Sequence, residues 1–175
     1  MRLEIKNPGF GLWHAFSVLA IMLSDQAAKH LIKHGFRLGQ SIDVTTFFQL
    51  ARIENTGIAF GFFRGMNVLL ICVITVIIAM LVYFSPRIVE YAGRLSRISL
   101  VMILGGALGN LIDRIFYGRI TDFLYFGYGG YYFPAFNVAD ACVSVGGVSL
   151  ALMFIIRKDP EKTPAVCRPV TAEDE

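Results

Sequence analysis

The sequence predicts an all-α membrane protein, four transmembrane helices carrying a small β-containing extracytoplasmic subdomain. Composition is the first reason. Of 175 residues, 55% are hydrophobic and only 17% charged, and the mean hydropathy is +0.61, too apolar for a soluble domain of this size. The second reason is pattern: apolar runs at about residues 12–32, 66–84, 98–117 and 138–156 reach the roughly 20 helical residues that cross a hydrocarbon core of about 30 Å. Third, none of the runs alternates apolar with polar residues as barrel strands do, and helices are the other way to satisfy a backbone in lipid.

The first run follows Arg2 and Lys6 and has the outline of a signal peptide. Asp25 and Lys29 continue its helical pattern, however, and SDQAAK is a poor small-residue cleavage site, so the run reads as a retained span. Asp25 and Lys29 are four residues apart, a spacing that pairs opposite charges on one helix face. The following segment, about residues 33–65, is the larger outer loop. Within it Val44–Ile53 is rich in β-branched and aromatic residues, and Ile58–Phe63 follows Asn55-Thr56-Gly57, which predicts a small sheet or hairpin.

The second run carries no charge and leads into a short basic inner loop, Ser85–Arg97. In the third run Gly105, Gly109 and Asp113 recur at four-residue intervals, and small residues at that spacing allow close helix packing. Arg114 presents a planar fork suited to a carboxylate, a carbonyl or a phosphate. The second outer loop, about residues 118–137, is dense in Tyr, Phe and Gly, a composition suited to the membrane interface and to movement. On the fourth run Asn137, Asp140, Ser144 and Gly147 share one helical face. Residues 1–157 thus read as one membrane-embedded domain, and 158–175, with three prolines and an acidic end, as a disordered cytoplasmic tail.

Charge and cysteines narrow the function. A formal charge of +3 and a pI near 8.8, with scattered basic residues, give no footprint for nucleic acid; acidic lipid headgroups are a sufficient partner. Nine Lys and Arg fall on the side of the termini and the 85–97 loop against seven opposite, which favours both termini inside. Cys72, Cys142 and Cys167 form no CxxC pair, so free thiols and no metal are expected. HExxH and GxxxxGK[ST] are absent, and His14, His30 and His34 stand beside no convincing nucleophile.

Alternating spans place Asp25, Asp113 and Asp140 at one membrane face, the face that also receives Asn55 and Asp122 from the outer loops. Charges bordering hydrocarbon are costly and mark functional sites. Asp140 has no basic residue three or four positions away. Asp122 lies eighteen residues earlier, in a non-helical segment, so only the fold can join the two. Joined, they share one proton, and one acid serves as base towards water while the other protonates a leaving amine. A small transporter or proton-conducting subunit is the alternative, and a scaffold held by polar contacts a third reading. Clustering at one face rather than along a path favours the enzyme.

Five motifs, Asp25-Gln26-Ala27-Ala28-Lys29, Asn55-Thr56-Gly57-Ile58-Ala59-Phe60, Gly105 to Arg114, Thr121-Asp122-Phe123 and Phe136-Asn137-Val138-Ala139-Asp140, stand in the order found in the lipoprotein signal peptidases, the signal peptidase II family of bacterial inner-membrane aspartic proteases, which this chain resembles over nearly its whole membrane region. The resemblance implies that Asp122 and Asp140 are the catalytic pair. Asp25, Lys29, Asn55, Gly57, Ala59, Gly105, Gly109, Asn110, Asp113, Arg114, Asn137 and Ala139 then fall at supporting and substrate-contact positions. It further implies cleavage of prolipoproteins just before a diacylglyceryl-cysteine, inhibition by globomycin, no cofactor, and an active site near the outer face. A monomer contains every catalytic part, and the Gly127–Gly130 neighbourhood is expected to act as a lid.

Overall fold

The computed structural model describes residues 11–58, 62–92 and 94–156. Four helices and four strands follow in the order α1 (Leu12–Gly35), β1 (Ser41–Thr45), β2 (Phe48–Asn55), α2 (Asn67–Ala92), α3 (Arg94–Tyr117), β3 (Ile120–Tyr128), β4 (Tyr131–Tyr132) and α4 (Val138–Ile156). Residue Ala59 and the tail 158–175 lie outside the described residues.

Helix α3 is the axis of the bundle, packing against α1, α2 and α4. Its glycines make this possible. A Cβ at Gly105 would stand 2.8 Å from Ile21 Cβ of α1, and one at Gly106 would strike the Ala139 carbonyl of α4. Gly146 provides the reciprocal close approach, where a Cβ would stand 2.8 Å from the Ser99 carbonyl. Without side chains at these points the backbones meet directly, as small residues permit in lipid.

Among the described residues three helical stretches are long and apolar enough to cross a membrane: Asn67–Glu90, Leu95–Tyr117 and Val138–Ile156. Helix α1 is of comparable length, but Asp25, Lys29 and Lys33 in its second half depress its hydropathy. Asp25 and Lys29 point into the protein, at 0% and 1% exposure, so the polar half serves the interior. Most apolar side chains of α2, Val68, Val73, Val76, Ile77 and Met80 among them, face outward, as a lipid-facing helix requires.

One loop expectation is corrected. The segment expected as a loop over Ser85–Arg97 is helical on both sides of residue 93: α2 continues through Pro86 to Ala92 and α3 begins at Arg94. Loss of hydropathy marks the edge of the hydrocarbon, not the end of a helix, and the buried Ser85, Val89, Ser96 and Ser99 show that packing continues there. In the outer region the small sheet or hairpin expected around Val44–Ile53 is present: a turn at Thr46-Phe47 separates β1 from β2, which form an antiparallel hairpin. Strand β2 also pairs with β3, with Ile53 opposite Asp122 and Asn55 opposite Ile120, giving a sheet in the order β1-β2-β3-β4.

A register shift in β2 between Leu50 and Ile53 bends the sheet beside Asp122, as bulges do near functional sites. The Arg52 guanidinium fastens the sheet to α1, donating to the Lys33 and Phe36 carbonyls at 2.7 and 3.0 Å, orphan acceptors at the helix C-terminus. The Gly127–Gly130 neighbourhood is the end of a hairpin: Gly129 and Gly130 have φ of 59° and 86°, the paired left-handed conformation that two-residue β-turns demand.

Candidate active site

The first turn of α4 builds one half of the site. Asn137 precedes the helix, and its Oδ1 accepts the Asp140 N–H at 2.9 Å. Asp140 Oδ2 in return accepts the Asn137 N–H at 3.2 Å. This reciprocal arrangement is a capping box, which satisfies two N–H groups that a helix start leaves orphaned. With its oxygen so occupied, the Asn137 amide turns its Nδ2 outward, and that nitrogen donates to Asp122 Oδ1 at 2.8 Å. One residue therefore touches both carboxylates, from β3 and from α4.

Two further asparagines hold the acids in the same manner. Asn55 Nδ2 donates to Asp122 Oδ2 at 3.0 Å, while its Oδ1 accepts the Gly57 N–H at 2.9 Å. Asn110 Nδ2 donates to Asp140 Oδ1 at 2.7 Å, and its Oδ1 accepts from Lys29 Nζ at 2.9 Å. In each case a donor fixes the amide oxygen, leaving only the NH₂ end for a carboxylate. Aspartate in these positions would face an acid with an acid.

Behind the dyad lies a buried ionic cluster. Lys29 Nζ is 2.7 Å from Asp25 Oδ2 and 2.9 Å from Asp113 Oδ2. Asp113 also sees Lys33 at 3.5 Å, and Lys33 Nζ stands 3.7 Å over the Tyr117 ring. Asp25 Oδ1 accepts the Ala139 N–H at 2.9 Å, tying α1 to the start of α4. Gly109 makes room for this carboxylate, since a Cβ there would lie 2.7 Å from Asp25 Oδ2. Lys29 thus stands at ion-pair distance from two buried acids and donates a hydrogen bond to one amide.

Arg114 joins the other half. At 2% exposure its Nη2 donates to the Gly57 carbonyl at 2.6 Å and its Nη1 to Asn67 Oδ1 at 3.4 Å. Gly57 itself has no room for a side chain, because a Cβ would run into the Phe62 carbonyl and come within 3.2 Å of Arg64 N. Arg114 therefore anchors the turn that holds Asn55, which in turn holds Asp122. Among the described residues the guanidinium takes two carbonyl oxygens, of the Gly57 backbone and of the Asn67 amide.

The electrostatic result is clearest at Asp122, which is 2% exposed. Burial, and next the nearby Asp140 charge, push its carboxyl up to about 7, against the pull of the Asn55 and Asn137 donors and of the Lys29 charge. A carboxyl so placed exchanges its proton near neutral pH, the condition for general acid–base work.

Of the residues singled out above, Asp25, Lys29, Asn55, Gly57, Gly109, Asn110, Asp113, Arg114, Asp122, Asn137, Ala139 and Asp140 come together in this assembly, whereas Gly105 packs against Ile21 and the Val18 carbonyl of α1. The face expected on α4 is corrected in part. Ser144 is exposed and a Cβ at Gly147 would meet nothing within 4 Å, whereas the buried pair is Ala139 and Gly146, seven residues or two turns apart. Sequence reasoning missed Gly106 and Gly146, legible as further small residues in the same runs. It also missed Asn67, the one strongly polar side chain opening α2, and Gln26, whose Nε2 donates to the Gly109 carbonyl at 3.0 Å. Among the described residues no three His, Cys, Asp or Glu side chains converge as metal ligands, and Cys72 and Cys142 are free thiols.

Residues 17–156 match the family described as signal peptidase (SPase) II. A lipoprotein signal peptidase of Dehalococcoides mccartyi is 40% identical over 149 residues, covering 83% of this chain and 91% of its own length. That of Tolumonas auensis is 38% identical over 159 residues, covering 88% and 96%. Two solved chains described as bacterial membrane enzymes superpose with TM-scores of 0.78 and 0.76 at 24% and 26% identity, covering 94% and 89% of this chain and 98% and 100% of theirs.

Proposed function

This chain belongs to the signal peptidase II family of aspartic-type peptidases, and from that premise we propose that Asp122 and Asp140 are its catalytic pair. The observation that carries the proposal is the double contact of Asn137, whose side chain donates to Asp122 and whose backbone N–H donates to Asp140. The two acids hold one proton between them. The ionised member takes a proton from water as the oxygen attacks the scissile carbonyl, and the protonated member delivers its proton to the departing amine. The substrate is a diacylglyceryl-modified prolipoprotein, and the bond broken lies just before the lipidated cysteine.

Supporting roles follow from the contacts. Asn55, Asn110 and Asn137 orient the acids. Lys29, with Asp25 and Asp113, fixes Asn110 and the start of α4, Arg114 fixes the Gly57 turn, and Gly105, Gly109 and Ala139 let the helices close. Helix α1 counts as the fourth span, its charges directed inward. The chain then crosses the inner membrane with both termini cytoplasmic and the dyad at the outer face, where an acylated peptide enters sideways and water from outside. One chain supplies every group, so a monomer suffices. Globomycin occupies the same site. The Gly127–Gly130 hairpin end shelters the cleavage site as a lid.

Purified protein incubated with lipidated precursor, read by gel shift, tests this. Wild type shortens the precursor and globomycin blocks the reaction, whereas Asp122→Asn and Asp140→Asn insert normally and leave it intact. Near-normal processing by either variant removes that residue from the catalytic role. A proton-conducting protein would process nothing.

A further inference from the structure

The peptidase reading leaves one pair of chemically competent side chains unused. His30 and His34 are exposed on the last turns of α1, and their ring centroids lie 4.2 Å apart with planes inclined at 53°. They occupy the face about 100° around the helix from Lys29 and Lys33, which are turned towards Asp25 and Asp113. We propose that His30 and His34 form a chelating site for a divalent transition-metal ion of the class that prefers imidazole, such as zinc(II).

Residues four apart on a helix are neighbours on one face, and two histidines at this spacing are the helical half of a common zinc-binding arrangement. Imidazole nitrogens suit zinc, copper and nickel. The rings are already in contact, so chelation requires rotation about side-chain bonds and no backbone change. No third His, Cys, Asp or Glu among the described residues converges on the pair, so water completes the coordination and the ion exchanges freely. The neighbouring Lys33 ammonium is engaged by Asp113 and the Tyr117 ring.

A bound ion would tie together two turns at the end of α1. The Lys33 and Phe36 carbonyls of this same helix end receive Arg52 from β2, so metal binding would stabilise the junction between helix and sheet. A ligand that binds only the folded form raises its apparent stability.

The test uses tag-free full-length protein in detergent, titrated with zinc(II) by calorimetry and with copper(II) by electron paramagnetic resonance. One saturable zinc site per chain is expected, a copper spectrum showing two nitrogen ligands, and a thermal midpoint that rises with zinc. His30→Ala and His34→Ala should each weaken zinc binding at least about tenfold, a loss of about 1.4 kcal/mol. The double variant Leu31→His/His34→Ala keeps two imidazoles but sets them one residue apart, where they do not face each other, and should bind as weakly. All three variants retain precursor processing without metal, which separates this site from the peptidase reading. Absence of saturable zinc binding in wild type, or equal affinity in the misaligned variant, overturns the proposal.

Discussion

Replacing Asn55 by Ala should move the alkaline limb of the pH–activity profile upward. The Asn55 amide donates to Asp122 Oδ2 at 3.0 Å and favours the ionised acid, whose carboxyl stands at about 7. A hydrogen bond to a charged group contributes about 1.5–3 kcal/mol and one to a neutral group about 0.5–1.5. Losing the donor therefore disfavours ionisation by about 1–1.5 kcal/mol, or about one pH unit at 1.36 kcal/mol per unit. The working pair holds one proton. As pH rises through the upper ionisation that proton departs and activity falls, and a carboxyl that holds its proton more firmly postpones the fall. Wild-type kcat/KM, which reports the free enzyme, should decline through about pH 7, and that of the variant roughly one unit higher. The maximum falls as well, because Asp122 loses a support, but limb position is independent of height. The assay is precursor cleavage in one detergent across the neutral and alkaline range, and a limb that stays in place or moves to lower pH refutes the reasoning.

Three other outcomes follow from the contacts. Lys29→Met leaves Asp25 and Asp113 buried without their shared cation and should cost about 3–5 kcal/mol, whereas Lys33→Met should cost far less; thermal unfolding in detergent compares them. Gly106→Ala, which drives a Cβ into the Ala139 backbone, should destabilise more than Gly109→Ala, whose Cβ meets the end of the Asp25 side chain at 2.7 Å. The latter should still lower activity by shifting the carboxylate that holds the Ala139 N–H. Asp122→Asn should flatten the pH dependence of stability: a native carboxyl at about 7 against 3.8 for the ordinary acid binds more protons folded than unfolded, so wild type loses up to about 4 kcal/mol as pH rises through that interval and the variant does not. Unfolding midpoints at acid and neutral pH measure the difference.

The helices were legible because hydropathy is a local property summed over many residues, and the acids because charge is conspicuous in an apolar chain. Helix limits were less so, since Ser85–Arg97 looks like a loop by composition and is held helical by packing of Val89 and Ser96. Strand pairing was not legible at all. Joining Ile53 to Asp122 brings together residues far apart in sequence, and no local pattern in either segment announces the other. The Asp25–Lys29 pair could be read from its spacing. The second carboxylate on Lys29, from α3, could not, and neither could the use of Arg114 to hold a carbonyl.

The capping box at Asn137 has a consequence for biogenesis. The hydrogen bonds that start α4 are the ones that position Asp140 and aim Asn137 at Asp122, so a chain whose last helix has not formed and docked carries two acids with no shared site. If these two acids are the catalytic pair, proteolytic competence should arrive only once α4 has docked, and partly inserted copies, with their own loops and those of other nascent proteins within reach, should be inert.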